Sequence, residues 1–465
     1  MLVSCPRSIR LGVALFTAAL SSAGRAAAEE PASIRALALN AAVDFALKHQ
    51  PEVLAARKRL IASRADAEVP IAQWQPNVGL VAEALLGTAN NSTASILSPR
   101  TVDLPRIGGT SVEENPSARP YGSSLVALGV RQEVFDFGRI AAQAAAVRAL
   151  AATDKERLRA QRLDTVLSVT EAYYAVLAAR TVVEVAGQAE ARARMHRDYA
   201  DAGVRSGLRS PIELTRAEAD VTRFEVNRIR AEGGLRVARS VFAAAVGVDD
   251  PELDAGPDTS APFQLPDHAL VQARARDADP AVRVAVSRSR AQDAVTAVLK
   301  ASERPNIYAS AAVSGRAGGA PASDGVVPQG DGALPIVPNY SAGLVLEWPM
   351  YDAVTLARER ASKQRELALL AEVDVARQRA VTRSEQAYRD AEVALRALDA
   401  LSRAAEAARA NHDQAEARFK QGLGTSVELA DAETLRIDAE LQLAIGKFQL
   451  AVDRAVLLRT MTEEP

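Results

Sequence analysis

Cysteine occurs once in the 465 residues, at Cys5, and that position precedes an apolar run where a lipid-acceptor cysteine would follow one. Lipid anchoring is therefore not expected, and beyond Cys5 no disulfide or thiolate chemistry is open to the chain. Histidine occurs four times, at His49, His196, His268 and His412, with no H-E-x-x-H and no Cys/His metal spacing. A G-x-S-x-G elbow and a P-loop are also missing, so no enzyme, no metal, no cofactor and no self-powered transport is expected. Charge of one sign is lacking too: 56 basic against 58 acidic residues leave a net charge of -2, without the basic field that nucleic acid requires. Beyond the N-terminus no apolar stretch is expected to reach the roughly 18 residues of a membrane-spanning helix. Any membrane crossing would then have to be made by strands.

What the chain does hold is alanine with leucine and valine, 48% apolar in all, beside 25% charged residues. That mixture suits long helices packed through small side chains. At the start, Arg7 and Arg10 precede the apolar run Leu11 to Leu20, and Ala26-Ala27-Ala28 offers an A-x-A cleavage site. Residues 1–28 read as a secretory signal peptide.

The remainder repeats itself. Pro51-Glu52-Val53 recurs as Pro280-Ala281-Val282, and Gln75-Pro76-Asn77 as Arg304-Pro305-Asn306, both at an offset of 229. Farther on, Val134-Phe135-Asp136 pairs with Met350-Tyr351-Asp352, and "GLRSPIEL" from Gly207 with "GLGTSVEL" from Gly422. The landmarks stay in order, which divides the chain into a first repeat over 29–247, a linker over 248–266 and a second repeat over 267–465.

Each repeat reads helix, strand, loop, strand, very long helix, reversal, helix. Strands are expected at about 77–86, 123–135, 306–314 and 340–348, with Gly- and Pro-rich loops at 87–120 and 315–339. Along the second strand Val126, Leu128, Val130 and Val134 alternate with Gly129, Arg131 and Glu133; along the fourth, Leu344 and Leu346 alternate with Gly343 and Glu347. Arg131 and Glu347 occupy the same place on the polar face of the two repeats. Asp136 and Asp352 are expected to cap the proline-free helices 139–202 and 353–420, each roughly 95–100 Å long at about 1.5 Å per residue. Apolar residues at three-four spacing, such as Val166, Val169, Tyr173 and Val176, mark coiled-coil packing. Gly207, Gly422 and Gly424 supply the backbone freedom that a reversal after each long helix needs.

Strands with one apolar and one polar face describe a lipid-facing barrel wall. Four strands cannot close a barrel, since the smallest have about eight, and lipid tolerates no open edge. Two copies would pool 8 strands and three would pool 12, and only the larger barrel leaves an aqueous pore. An exported coiled-coil protein with hairpin tips outside any membrane is the alternative.

With "RFKQGLGTSVELADAETL", "YADAGVRSGLRSPIELTRAEAD", "EVFDFGR" and "EWPMYDA" in view, the chain resembles the trimeric TolC-type outer-membrane factors over about 33–461. The resemblance implies a mainly α fold with a small β part: duplicated halves, a 12-stranded barrel made by a homotrimer, and an α-helical tunnel in the periplasm. It implies an exit duct in the outer membrane of a Gram-negative bacterium, serving type I protein secretion or multidrug efflux. The partners implied are a periplasmic adaptor, an inner-membrane transporter of ABC or RND type, and outer-membrane lipid.

The family's acidic pore ring, carried over from the motif glycine Gly422, falls on Glu428 and Asp431; Glu213 and Arg216 hold the corresponding places in the first repeat. Six carboxylates from three chains would repel one another and attract cations. Gly424 departs from the family pattern, since a gate-latching arginine stands there in the best-known member; Arg205, Arg209 or Arg216 is left to take that role. Arg131 and Glu347 are expected to line the barrel lumen. The plainer reading of Glu428 and Asp431 is a helix start favoured by its dipole. A periplasmic adaptor or scaffold without its own pore is the alternative function; one hairpin flanked by small β-rich domains would be its mark.

Overall fold

The computed structural model describes residues 36–88, 120–207, 209–258, 263–318 and 337–461. The signal-peptide segment and most of both hairpin loops lie outside these residues. In chain order the elements are β1 (Ala36–Leu37), α1 (Leu39–His49), α2 (Pro51–Asp66), α3 (Val69–Ala72), β2 (Asn77–Thr88), β3 (Pro120–Phe135), α4 (Arg139–Arg205) and α5 (Pro211–Val246). They continue as β4 (Asp254–Ala255), α6 (His268–Ala278), α7 (Pro280–Ala301), β5 (Asn306–Gly318), β6 (Val337–Glu347), α8 (Ala353–Lys420) and α9 (Ser426–Thr460). The fold is mainly α, with two halves of like order.

Proline punctuates both halves in the same way. It stands at the first position of α2 and of α7, where its missing donor costs nothing. The residue before each proline caps the new helix: the Gln50 side chain accepts from Val53 N, and Asp279 Oδ1 accepts from Ala281 N at 2.8 Å.

With 67 and 68 residues, α4 and α8 each run about 100 Å. The short helices pack end to end along them, α1 meeting α5 beside α4 and α6 meeting α9 beside α8. Apolar cores form at these junctions. In the first half Tyr173, Val169, Val176, Phe242, Val246 and Val43 are buried together; in the second Val271, Ala387, Ala391 and Leu457 are. Tyr173 adds a polar anchor, its hydroxyl donating to Gly256 O at 3.0 Å.

Two sequence expectations need correction. Asp352 is the N-cap of α8, accepting from Val354 N at 2.9 Å, but the cap position of α4 belongs to Gly138, at φ 91°. Asp136 still accepts from the Gly138 and Ile140 amides, reaching them across a turn in which Phe137 also has positive φ. The second concerns apolar stretches: α4 contains an 18-residue window of mean hydropathy 1.3, enough by length and composition to cross a membrane. The physical reason is its neighbours, because α4 packs against α1, α2, α5, α7 and α9 and so needs apolar side chains on several faces.

The strands β2, β3, β5 and β6 form one antiparallel sheet in that order, leaving β2 and β6 as free edges. Register places Val78, Val130, Ala311 and Ala342 in one row, and Leu80, Leu128, Val313 and Tyr340 in another. The opposite face carries the rows Asn77, Arg131, Ser310, Gly343 and Gly79, Gly129, Ala312, Ser341. One face is thus apolar and exposed, the other small or polar, as in a wall between lipid and water. A bulge at Val134 ends the regular pairing next to α4, a common device at barrel rims.

A further tie was not legible in the sequence. β1 and β4 pair in parallel for two residues, fastening the chain before α1 to the linker. Asp254 of β4 lies between Arg180 of α4, at 2.7 Å, and Arg239 of α5, at 2.6 Å.

Candidate gate and lumen residues

At the strand–helix junction the polar sheet face gathers charge. Arg131 places its guanidinium 3.6 Å from the Tyr308 ring centroid, 3.8 Å from Glu133 and 4.0 Å from Glu347. Glu133 in turn meets Arg139 at the start of α4 and accepts from the Asn306 amide at 3.3 Å. Arg131 and Glu347 therefore belong to one cluster around Tyr308, at the end of the sheet from which the helices leave.

At the opposite end each long helix stops at a glycine in the left-handed region, Gly207 at φ 71° and Gly422 at φ 73°. In the second half the Gly422 amide donates to Phe419 O at 3.1 Å and the Leu423 amide to Arg418 O at 2.9 Å, a Schellman turn. In the first half Gly207 N donates to Val204 O at 3.0 Å. Gly424 has a different reason to be glycine. A Cβ there would stand 3.2 Å from Phe419 N and 3.3 Å from Glu428 Oε2.

Helix α9 begins with a capping box. Thr425 Oγ1 accepts from Glu428 N at 3.2 Å, and the Glu428 carboxylate accepts from Thr425 N at 3.2 Å. The Glu428 carboxylate is thus held at a helix start, where the dipole favours it. Asp431 is exposed and has no hydrogen-bond or ion-pair partner among the described residues. Glu428, Asp431, Leu435 and Asp438 share one exposed stripe of α9, at the three-four spacing of a helix face.

In the first half Glu213 accepts from Arg209 at 3.0 Å, and Arg209 lies over the Phe419 ring, 4.0 Å from its centroid. Arg216 is exposed and without a partner among the described residues. Glu213, Arg216 and Asp431 all line a cavity of about 430 Å³ between α4, α5 and α9, whereas Glu428 does not.

Behind the stripe lies a buried cluster that sequence reasoning missed. Glu433 of α9, almost fully buried, accepts from Arg192 Nε of α4 at 2.9 and 3.1 Å. His412 of α8, 1% exposed, brings Nε2 to 2.7 Å from the same carboxylate, an ion-pair approach without the alignment of a hydrogen bond. His196 of α4 lies beside them, its ring centroid 6.2 Å from that of Phe419. A signal did exist: His196 and His412 are 216 positions apart, within one residue of the offset relating the two halves. Equivalent positions on α4 and α8 stand at one level of the structure, so histidines scattered in sequence meet in space.

Among the described residues no group of His, Cys, Asp and Glu forms a metal site. The family model described as "Outer membrane efflux protein" matches residues 42–248 and 271–461. Protein CyaE of Bordetella pertussis is 27% identical over 437 residues, spanning 92% of this chain and 84% of that protein. Among solved structures, the CmeC outer membrane channel of Campylobacter jejuni superposes with a TM-score of 0.71 at 13% identity, over 91% of this chain and 85% of that one. The outer membrane protein VceC of Vibrio cholerae gives a TM-score of 0.68 at 17% identity, over 91% and 96% of the two chains.

Proposed function

Since the chain belongs to the outer membrane efflux protein family, we propose that three copies pool their strands into one barrel, with Glu428 and Asp431 narrowing the far end of the tunnel. The protein is an outer-membrane channel, the exit duct of a tripartite export system, with its helices projecting into the periplasm. Family and fold are those of channels rather than enzymes, and the reading as a poreless scaffold falls with that assignment.

The observation that carries the trimer is the sheet. It has four strands, one exposed apolar face and two free edges, and neither edge can remain unpaired in lipid. Three sheets joined edge to edge close a barrel wide enough for water, whereas two fill their own interior.

At the far end, Glu428 and Asp431 from three copies of α9 bring together six carboxylates. Asp431, exposed and unpaired among the described residues, contributes field to the passage; Glu428, bound to its own helix start, contributes less. Arg216 on α5 faces the same cavity as Asp431 and is the cation placed to close against it. Arg131 and Glu347 line the barrel lumen where strands give way to helices. Family members work with a periplasmic adaptor and an inner-membrane transporter, and this chain takes one of each as its partners.

The detergent-corrected mass of protein extracted from outer membranes tests the assembly. About three protomers is expected, and a monomer in the periplasmic fraction would sink it. Single-channel recording then tests the ring: Asp431→Asn is expected to lower cation preference more than Glu428→Gln, and unchanged selectivity in both would remove the ring.

A further inference from the structure

The Arg192, His412, Glu433 and His196 cluster has no part in the fold's reversal or capping, yet it is among the most buried ionic groups in the helical region. Glu433 sits on the face of α9 opposite the Glu428 and Asp431 stripe. Arg192 reaches it from α4 and His412 from α8, so one carboxylate fastens three helices immediately above the reversals. We propose that this cluster is an acid-released latch: a proton taken up by His196 loosens α9 from α4 and α8 and shifts the acidic stripe that α9 carries.

The geometry gives the direction. His196 Nε2 is buried without a hydrogen-bond partner among the described residues, so a proton placed there has no acceptor. The charges facing the ring are Arg192 from α4; His412 and Glu416 from α8; and Glu433 from α9. Arg209, Glu213, Arg216, Asp220 and Arg223, at and along α5, and Asp431 of α9 line the adjoining cavity. Both acids facing the ring are already engaged, Glu433 by Arg192 and Glu416 by Lys420 at 2.8 Å. Burial pushes the His196 imidazole below its ordinary value; Glu433 and Glu416 oppose this, and His412 and Arg192 add to it. The neutral form therefore belongs to the latched arrangement, and acid favours the released one. The packed state is fully favoured above the ordinary histidine value of about 6.5 and loses ground as pH falls below it. His412 stands on the Glu433 side of the cluster, its Nε2 2.7 Å from that carboxylate, and is a hold on α9 rather than the group that acid releases.

The proposal rests on the reading of the stripe as the narrow end, and two readouts separate them. Amide hydrogen exchange over Ser426–Glu440 of the detergent-solubilised assembly, corrected for intrinsic rates, reads the latch directly at pH 7.5 and 5.5. Single-channel conductance over the same range reads the gate. Wild type is expected to lose protection about tenfold at pH 5.5 while conductance rises. His196→Gln should abolish both responses, and His412→Gln should leave them at least as large. Loss of protection without a conductance change keeps the latch and removes the stripe from the gate. Protection that is flat with pH in wild type, or that still falls in His196→Gln, overturns the latch.

Discussion

Arg131 of β3 and Glu347 of β6 stand 216 residues apart in the chain and 4.0 Å apart in space, Nη2 to Oε2. They do not sit on neighbouring strands. β5 runs between β3 and β6, and Arg131 crosses it over the face of Tyr308. The same position of the duplicated pattern thus supplies the cation in one half and the acid in the other.

Replacing Arg131 with alanine is expected to leave Glu347 without its cation and Glu133 with Arg139 alone at the base of the barrel. Reversal potentials in asymmetric salt should shift toward cations, the permeability ratio rising about two- to threefold. Both partners of the Arg131–Glu347 pair are well exposed, so stability should fall by no more than about 1 kcal/mol.

The chain has two tryptophans, Trp74 just before β2 and Trp348 just after β6. Both are exposed, as are Phe135, Phe137 and Tyr351 near them. Aromatic rings in such a place suit the headgroup level of a bilayer. In reconstituted vesicles, lipids brominated near the glycerol should quench the emission more than lipids brominated at the chain ends. Equal quenching, or none, would place the junction elsewhere.

Tyr173→Phe removes the hydroxyl that bonds Gly256 and leaves the ring in place, and should cost about 1 kcal/mol. Tyr173→Ala also opens the core against Phe242 and should cost about 3–5 kcal/mol. Denaturant midpoints of the two variants would check the ratio.

His268 Nε2 lies 2.5 Å from Glu385 Oε2, and Gln272 and Arg389 each donate to that carboxylate at 2.9 Å. The bond from His268, followed by those from Gln272 and Arg389, holds the Glu385 carboxyl down to about 2. A depressed carboxyl adds stability that is complete above about 4.5 and lost as pH falls toward 2. The Tm difference between wild type and Glu385→Gln should therefore be present at pH 6, shrink below 4.5 and vanish near 2.

Gly422→Ala meets no atom within 4 Å, so its cost is backbone strain alone, about 1–2 kcal/mol. Gly424→Arg presses a Cβ on Phe419 N and the Glu428 carboxylate. It is expected to disturb the capping box rather than add a latch, seen as faster tryptic cleavage after Arg418 or Lys420.

Much of this architecture was legible because it depends on local rules. Prolines at 51 and 280 break helices wherever they stand, alternation along 123–135 and 340–348 selects a strand, and Gly207 and Gly422 end long helices. The strand count pointed to three pooled copies, and the family resemblance added the expectation of an acidic ring at Glu428 and Asp431. What stayed hidden depends on residues that meet only after folding. Arg192 and Glu433 are 241 positions apart, and the β1–β4 tie is two residues long. Asp136 misled because the chain takes a left-handed turn through Phe137 and Gly138 before α4 starts, a detour that spacing alone does not register.

The free edges of β2 and β6 also constrain how the molecule reaches its membrane. A lone sheet entering lipid would carry two rows of bare amides and carbonyls, each costing several kcal/mol, while its helices could pack in water beforehand. On the proposed three-chain barrel, insertion and association are a single event, third order in protomer or close to it when pre-association is weak. The half-time for acquiring heat-stable barrel should shorten steeply as protein concentration rises, unlike that of a barrel closed within one chain.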